Sequence, residues 1–151
     1  MKNSISVVGA GNWLISYDRI GPKVLELIQG RYSSEVELCE LGNTSLALLD
    51  YIHSQDLMII VDAGLQGKAP GEISVMVPDL NNPTIAITSV HQIGPVETLA
   101  IAKRLFPEQM PKQVLLIMVE TNGIDAKMEE TACQQVVNIL DNEINFLRTM
   151  T

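Results

Sequence analysis

The sequence predicts an α/β fold, a three-layer α/β/α sandwich built on a mostly parallel, twisted sheet of about five strands. Two unbroken apolar runs, Leu57–Val61 and Val114–Val119, are typical of parallel strands that are buried on both faces. Segments with helical spacing of apolar residues alternate with these and other strand-like runs, and that alternation places helices on both sides of a sheet. A length of 151 residues fits one domain covering residues 1–151.

The first half of the chain predicts two strands and two helices. The opening strand contains Ile and Val, which favour a pleated, buried surface, and a proline marks the first turn of the helix that follows. A later stretch alternates apolar and polar residues, as an outer strand does. The predicted elements are a strand at Ser4–Gly9, a helix from Gly21 to Gly30, a strand at Glu35–Leu41 and a short helix at Leu46–Ile52.

The second half begins with a loop that contains three glycines and a proline, Gly64–Gly71. Glu72–Val77 predicts an edge strand in antiparallel pairing, with Ile73, Val75 and Val77 facing inward. The irregular stretch that follows is long enough to suggest a functional loop. The remaining predicted elements are a short strand at Ile85–Ile87, a helix from Gly94 to Leu105, a strand at Gln113–Val119 and a helix at Glu129–Leu147.

Composition argues against several classes of function. A net charge of −8 disfavours nucleic-acid binding, which needs a basic face, and it disfavours anionic membrane surfaces. The apolar runs are too short to cross a bilayer, and the N-terminus lacks the apolar core of a secretion signal. Cys39 and Cys133 have no CxxC spacing, so we expect reduced, buried thiols. We therefore expect a cytoplasmic protein with no membrane insertion.

Three residues are candidates for a functional site. Asp18 lies in the loop between the first strand and helix, Asp62 closes the buried run Leu57–Val61, and His91 precedes the helix that starts at Gly94. The carboxyl ends of parallel strands are where open α/β sheets bind ligands. Two carboxylates and an imidazole are suitable ligands for a divalent first-row metal.

Structural explanations compete with this prediction. Asp62 is as readily explained as a turn aspartate, and a single histidine such as His91 more often caps or packs than binds metal. His53, between polar residues, is assigned no function. The glycine turn Gly9–Asn12 is a weak dinucleotide fingerprint, because about ten residues separate Gly11 from the next helix. The sequence contains neither HExxH nor GxSxG, so those two protease motifs are absent.

Several short motifs together resemble the hydrogenase maturation proteases, the endopeptidases that trim the large-subunit precursor of [NiFe] hydrogenases. Each motif is modest, but their order and spacing over nearly the whole chain are specific. They are Gly9-Ala10-Gly11-Asn12-Trp13-Leu14, Asp18–Gly21, Gly42-Asn43-Thr44, Ile59-Ile60-Val61-Asp62-Ala63, Pro70-Gly71-Glu72 and Ser89-Val90-His91-Gln92-Ile93-Gly94.

The resemblance implies a function and roles for the candidate residues. Asp18, Asp62 and His91 match the family's metal ligands, which contact nickel already installed in the precursor. The two aspartates are also the implied catalytic groups. The expected function is metal-dependent recognition of the precursor followed by removal of its C-terminal tail, and we expect a monomer that binds its substrate transiently.

Two departures from the family pattern favour an alternative function. Many relatives carry two adjacent acids in the first loop, whereas Tyr17 precedes Asp18 here, and Arg19 stands where a small residue is common. The alternative is a non-cleaving, metal-sensing or chaperone-like module for the same precursor. A nucleotide-binding domain is the third and weakest hypothesis.

Overall fold

A computed structural model of the chain describes residues 4–15, 18–42, 44–81 and 93–149. Within these ranges the strands are β1 (Ile5–Gly9), β2 (Val36–Glu40), β3 (Leu57–Gly64), β4 (Ile73–Met76) and β5 (Gln113–Glu120). The α-helices are α1 (Ile20–Leu27), α2 (Pro95–Leu105) and α3 (Ala126–Thr149), and 3-10 helices occupy Ser45–Tyr51 and Pro107–Gln109.

The five described strands form one sheet in the order β2-β1-β3-β5-β4. The first four are parallel, and β4 runs antiparallel to β5 at the edge. The predicted α/β class, the mostly parallel sheet and the antiparallel edge strand are therefore confirmed. The central position of β3 fits its five consecutive fully buried residues, Leu57–Val61.

Alternate residues of the strands pack into two separate hydrophobic layers. On one face Val7, Ile59 and Ile117 contact α1 and α3, and on the other Val8 and Ile60 contact α2 and the 3-10 helix Ser45–Tyr51. The helices thus form the outer layers of the sandwich. None of the helices among the described residues is long and apolar enough to span a membrane.

The details of four predicted elements differ from the structure. The predicted helix at Leu46–Ile52 is a 3-10 helix, begun by Thr44, whose hydroxyl accepts a hydrogen bond from the Leu46 N–H. α1 and α3 begin slightly earlier than predicted, at Ile20 and Ala126. β3 continues past Asp62 to Gly64. The predicted short strand at Ile85–Ile87 lies outside the described residues.

The inward orientation predicted for β4 is wrong in part. Ile73 packs against the α1/α3 layer, but Val75 and Val77 are 46% and 75% exposed. Met76, on the opposite face, contacts the α2 layer instead. The strand lies at the edge of the sheet, where the helical layers cover only part of each face, so period-two alternation alone does not determine burial.

Candidate functional site

A glycine turn holds Asp18 at the end of β1. The Asn12 N–H donates to the Asp18 backbone oxygen at 2.9 Å and to its Oδ2 at 3.1 Å. Gly11 has φ +125°, and a Cβ there would lie 2.0 Å from the Asp18 backbone oxygen. Only glycine fits this contact. The turn therefore fixes both the backbone and the carboxylate of Asp18.

A second glycine brings the start of α1 against two strands. A Cβ on Gly21 would lie 2.2 Å from the Ala10 oxygen and 2.8 Å from the Val61 oxygen. The Ala10 N–H itself donates to the Val61 oxygen at 2.9 Å. The first turn of α1 thus touches the backbone of β3 one residue before Asp62. This contact brings Asp18, three residues before Gly21, to the same edge of the sheet as Asp62.

Asp62 is a half-buried carboxyl whose proton affinity is strongly perturbed. Its Oδ1 accepts a hydrogen bond from the Ala63 N–H at 2.8 Å. The pKa of Asp62 is raised to about 7, chiefly by burial and also by the negative charges of Asp18 and Glu97, against the lowering effect of the Ala63 N–H. Burial also raises the pKa of Asp18, against the effect of its hydrogen bond from Asn12. The structure therefore brings the two predicted aspartates into electrostatic contact.

Glu97 is a third carboxylate at this site and was not among the predicted site residues. It lies in the first turn of α2, and its Oε2 would be 2.6 Å from a Cβ on Gly94, so the side chain folds back over the helix start. Acidic residues are common in the first turn because they complement the helix dipole. The sequence therefore offered no signal that distinguished Glu97 from an ordinary helix-capping acid.

The third predicted ligand cannot be placed with the other two. His91 and Tyr17 lie outside the described residues. Among the residues that are described, no three His, Cys, Asp or Glu side chains are grouped so as to hold a metal ion. Asp18 and Asp62 are oxygen donors of the type that divalent cations accept, but they do not form a complete ligand set.

Arg19, expected to add a cation near the site, is paired with a buried acid on α3. Its Nε lies 3.1 Å from each carboxylate oxygen of Glu129, and the Lys23 ammonium lies 2.7 Å from Oε1 of the same group. The Glu129 side chain is 4% exposed, against 34% for Arg19. The positive charge of Arg19 is thus largely directed toward α3.

A buried glutamate at the end of β5 holds the loop that follows β3. Glu120 accepts hydrogen bonds from the backbone N–H groups of Gln66 at 2.7 Å, Lys68 at 2.9 Å and Asn122 at 3.3 Å. The residue is 1% exposed. It was also not predicted, because two of its three backbone partners, Gln66 and Lys68, lie 54 and 52 residues away in the chain.

The comparison with protein families identifies the family to which this chain belongs. A family model described as hydrogenase maturation protease matches residues 22–145. The chain belongs to the hydrogenase maturation protease family. The family resemblance predicted from the motifs is therefore confirmed.

Individual members of the family match over most of this chain. It is 32% identical over 128 residues to hydrogenase 2 maturation protease of Escherichia coli K12, covering 80% of this chain and 75% of that protein. It is 31% identical over 125 residues to the hydrogenase expression/formation protein HupD of Thiocapsa roseopersicina. That match covers 80% of this chain but only 56% of HupD, so the chain spans little more than half of that relative.

Solved structures of the family share the fold. The hydrogenase maturating endopeptidase HybD of Escherichia coli is similar with a TM-score of 0.69 at 26% identity, over 93% of both chains. The [NiFe] hydrogenase maturation protease HycI of Thermococcus kodakarensis KOD1 has a TM-score of 0.75 at 19% identity, over 95% of this chain and 94% of that one. The second likeness is evidence for the fold alone.

Proposed function

We propose that this protein is an endopeptidase that recognises nickel in the large-subunit precursor of a [NiFe] hydrogenase and removes the precursor's C-terminal tail. Membership of the protease family supports peptide hydrolysis. The observation that carries the proposal is the meeting of Asp18 and Asp62, half-buried, at the carboxyl edge of the parallel sheet. Such an edge is where α/β proteins bind their ligands.

In this proposal the two aspartates and His91 contact nickel that the substrate carries. Asp18 and Asp62 supply oxygen ligands, and His91 supplies a neutral imidazole nitrogen. The ion belongs to the precursor, whose own groups hold it before the protease binds. Bound in this way, the metal offers Lewis acidity and fixes the position of the scissile bond.

The aspartates can also move protons during hydrolysis. An ionised carboxylate within reach of a water molecule accepts a proton as the water oxygen attacks the peptide carbonyl. The resulting carboxylic acid then returns a proton to the leaving amine as the C–N bond breaks. The raised pKa of Asp62, about 7, suits a group that must exchange protons near neutral pH.

The test is cleavage of purified precursor, with and without nickel, followed by intact-mass measurement. The wild-type protein should shorten only the nickel-loaded precursor, and Asp62→Ala and His91→Ala should not shorten it. His53→Ala is the matched control, because the His53 ring is 50% exposed and pairs with Glu37. Normal cleavage by His91→Ala, or equal cleavage of metal-free precursor, would contradict nickel recognition.

The second candidate is a module that binds the precursor without cutting it. Asp18 occupies its loop without an adjacent acid, since position 17 is tyrosine. Co-elution of protein and precursor in size-exclusion chromatography, with no shortened product after prolonged incubation, would favour this function. The same experiment tests the monomeric state that we propose for the free protein.

A further inference from the structure

The ion cluster of Glu129, Arg19 and Lys23 joins α3 to the segment that carries Asp18. Glu129 is 3% exposed and receives both cations, with Arg19 Nε at 3.1 Å from each carboxylate oxygen and Lys23 Nζ at 2.7 Å from one of them. Burial would raise the pKa of Glu129, but Lys23 and Arg19 hold it below its usual range. The carboxylate is therefore charged and fully engaged.

Stability alone is a weak reason for such a cluster. The cost of removing charges from water offsets most of the attraction between them, and apolar residues of similar size often serve as well. In some proteins a buried, charged group instead imposes one definite geometry on its partners. Here the partner is Arg19, the residue directly after Asp18.

Arg19 lacks the usual means of fixing a helix start. It occupies the N-cap position of α1, but its side chain makes no capping hydrogen bond. Asp18 is held on its other side by the Asn12 N–H and by the contact with Gly11. The Asp18 N–H also donates to the Ile15 oxygen at 2.9 Å. The carboxylate is thus fixed between the glycine turn on one side and the Glu129 cluster on the other.

We propose that Glu129 is a positioning residue that, through Arg19, holds the Asp18 carboxylate in its working orientation. The proposal rests on the function proposed above. It assigns Arg19 a role within the enzyme, since its charge is used to anchor the loop. Glu129 itself contacts neither substrate nor water in this account.

The molecule contains a matched control for this inference. Arg31 and Asp141 form a second ion pair between the end of the α1 segment and α3, with Nε–Oδ1 at 2.9 Å and a bond from Tyr32 at 2.7 Å. This pair joins the same two parts of the fold but lies at the other end of α1 from Asp18. Asp141→Ala therefore removes a more exposed link between the same two parts without touching the Asp18 loop.

The experiment compares Glu129→Ala, Arg19→Ala, Arg19→Lys and Asp141→Ala in cleavage of nickel-loaded precursor. We expect Glu129→Ala and Arg19→Ala each to lower kcat about 10- to 100-fold with KM within about twofold, as a misplaced group does. Arg19→Lys keeps a cation beside Glu129 and should recover most of kcat. Asp141→Ala should leave kcat within about twofold. The double variant Arg19→Ala/Glu129→Ala should be no slower than either single variant.

Hydrogen exchange gives a readout that does not depend on catalysis. The amides of Asn12, Ile15 and Asp18 are all donors within the loop, and they should exchange faster in Glu129→Ala but not in Asp141→Ala. If wild-type protein fails to cleave, the proposed function fails, and exchange still decides whether Glu129 orders the loop. Wild-type kcat in Arg19→Ala, an equal loss in Asp141→Ala, or unchanged exchange in Glu129→Ala overturns the inference. Should Glu129→Ala not fold, the comparison of Arg19→Ala with Arg19→Lys decides by the same criteria.

Discussion

Replacing Asp62 with Asn should stabilise the protein while it abolishes the cleavage that we propose. The pKa of Asp62 is about 7 in the folded protein, against an ordinary value of 3.8. Between these two pH values the folded state keeps a proton that the unfolded state has lost, so the free energy of unfolding falls as pH rises. At about 1.4 kcal/mol per pKa unit, the full difference corresponds to about 4 kcal/mol above pH 7.

The expected gain in the free energy of unfolding is somewhat smaller, because Asp62 is only partly shielded from water. We expect Asp62→Asn to raise the free energy of unfolding by about 2 to 4 kcal/mol at pH 8, with the gain shrinking toward zero as pH falls from 7 to 4. An asparagine oxygen can accept the Ala63 N–H just as the carboxylate does. Urea unfolding of the wild type and the variant across this pH range measures the effect.

Asp56→Asn is the control, because the pKa of Asp56 is shifted in the opposite direction from that of Asp62. The Ser4 N–H at 2.9 Å and the Lys112 ammonium at 3.0 Å both stabilise the Asp56 carboxylate, and they lower its pKa. This variant should therefore gain no stability at pH 8. If Asp62→Asn is no more stable than the wild type at pH 8, or gains as much at pH 4, then the buried charge is not a source of strain and the reasoning is wrong.

Three further predictions concern the rest of the fold. Gly21→Ala should lower the free energy of unfolding in urea by about 3 kcal/mol or more, since its Cβ would meet backbone oxygens of two neighbouring segments. Gly30→Ala is the control. Its Cβ would enter open space at φ +73°, so it should cost only about 1 to 2 kcal/mol. Cys39 and Cys133 should resist alkylation at pH 8 until the protein unfolds, because burial raises their thiol pKa values to about 12 and about 11; rapid labelling of native protein would disprove this. Leu140→Ala should cost about 2 to 5 kcal/mol, since its fully buried side chain leaves a cavity between α3 and the sheet.

The sequence predicted the parts of the structure that depend on local pattern. The buried run Leu57–Val61 identified the central strand, and Gly94-Pro95 identified the start of α2, because apolar runs and helix-starting residues act over a few positions. The burial of β4 could not be predicted in this way. Exposure of Val75 depends on how far the helical layers extend over the edge of the sheet, which no short window of sequence records.

The residues of the candidate site also differ in whether a local sequence pattern indicates them. Asp18 and Asp62 were singled out because each follows a recognisable apolar run in the sequence. The structure brings their charges into interaction, and their role as site residues stays a prediction. Glu97, Glu120 and Glu129 were missed because their roles depend on partners that the fold brings in from distant segments, Glu129 on a residue 110 positions earlier. A carboxylate in such a position looks like any solvated helix or turn acid until the topology is known.

The placement of Asp62 within β3 rather than after it has a consequence for how a substrate is received. Its Cα is in register with Met118 of β5, and the residue before it, Val61, is in register with Gly9 of β1. The carboxylate is therefore mounted on the hydrogen-bonded backbone of a sheet strand rather than on a loop. If Asp62 acts as we propose, the scissile bond of the precursor must reach this edge of the sheet, so a subunit that has already folded its end inward would no longer be recognised.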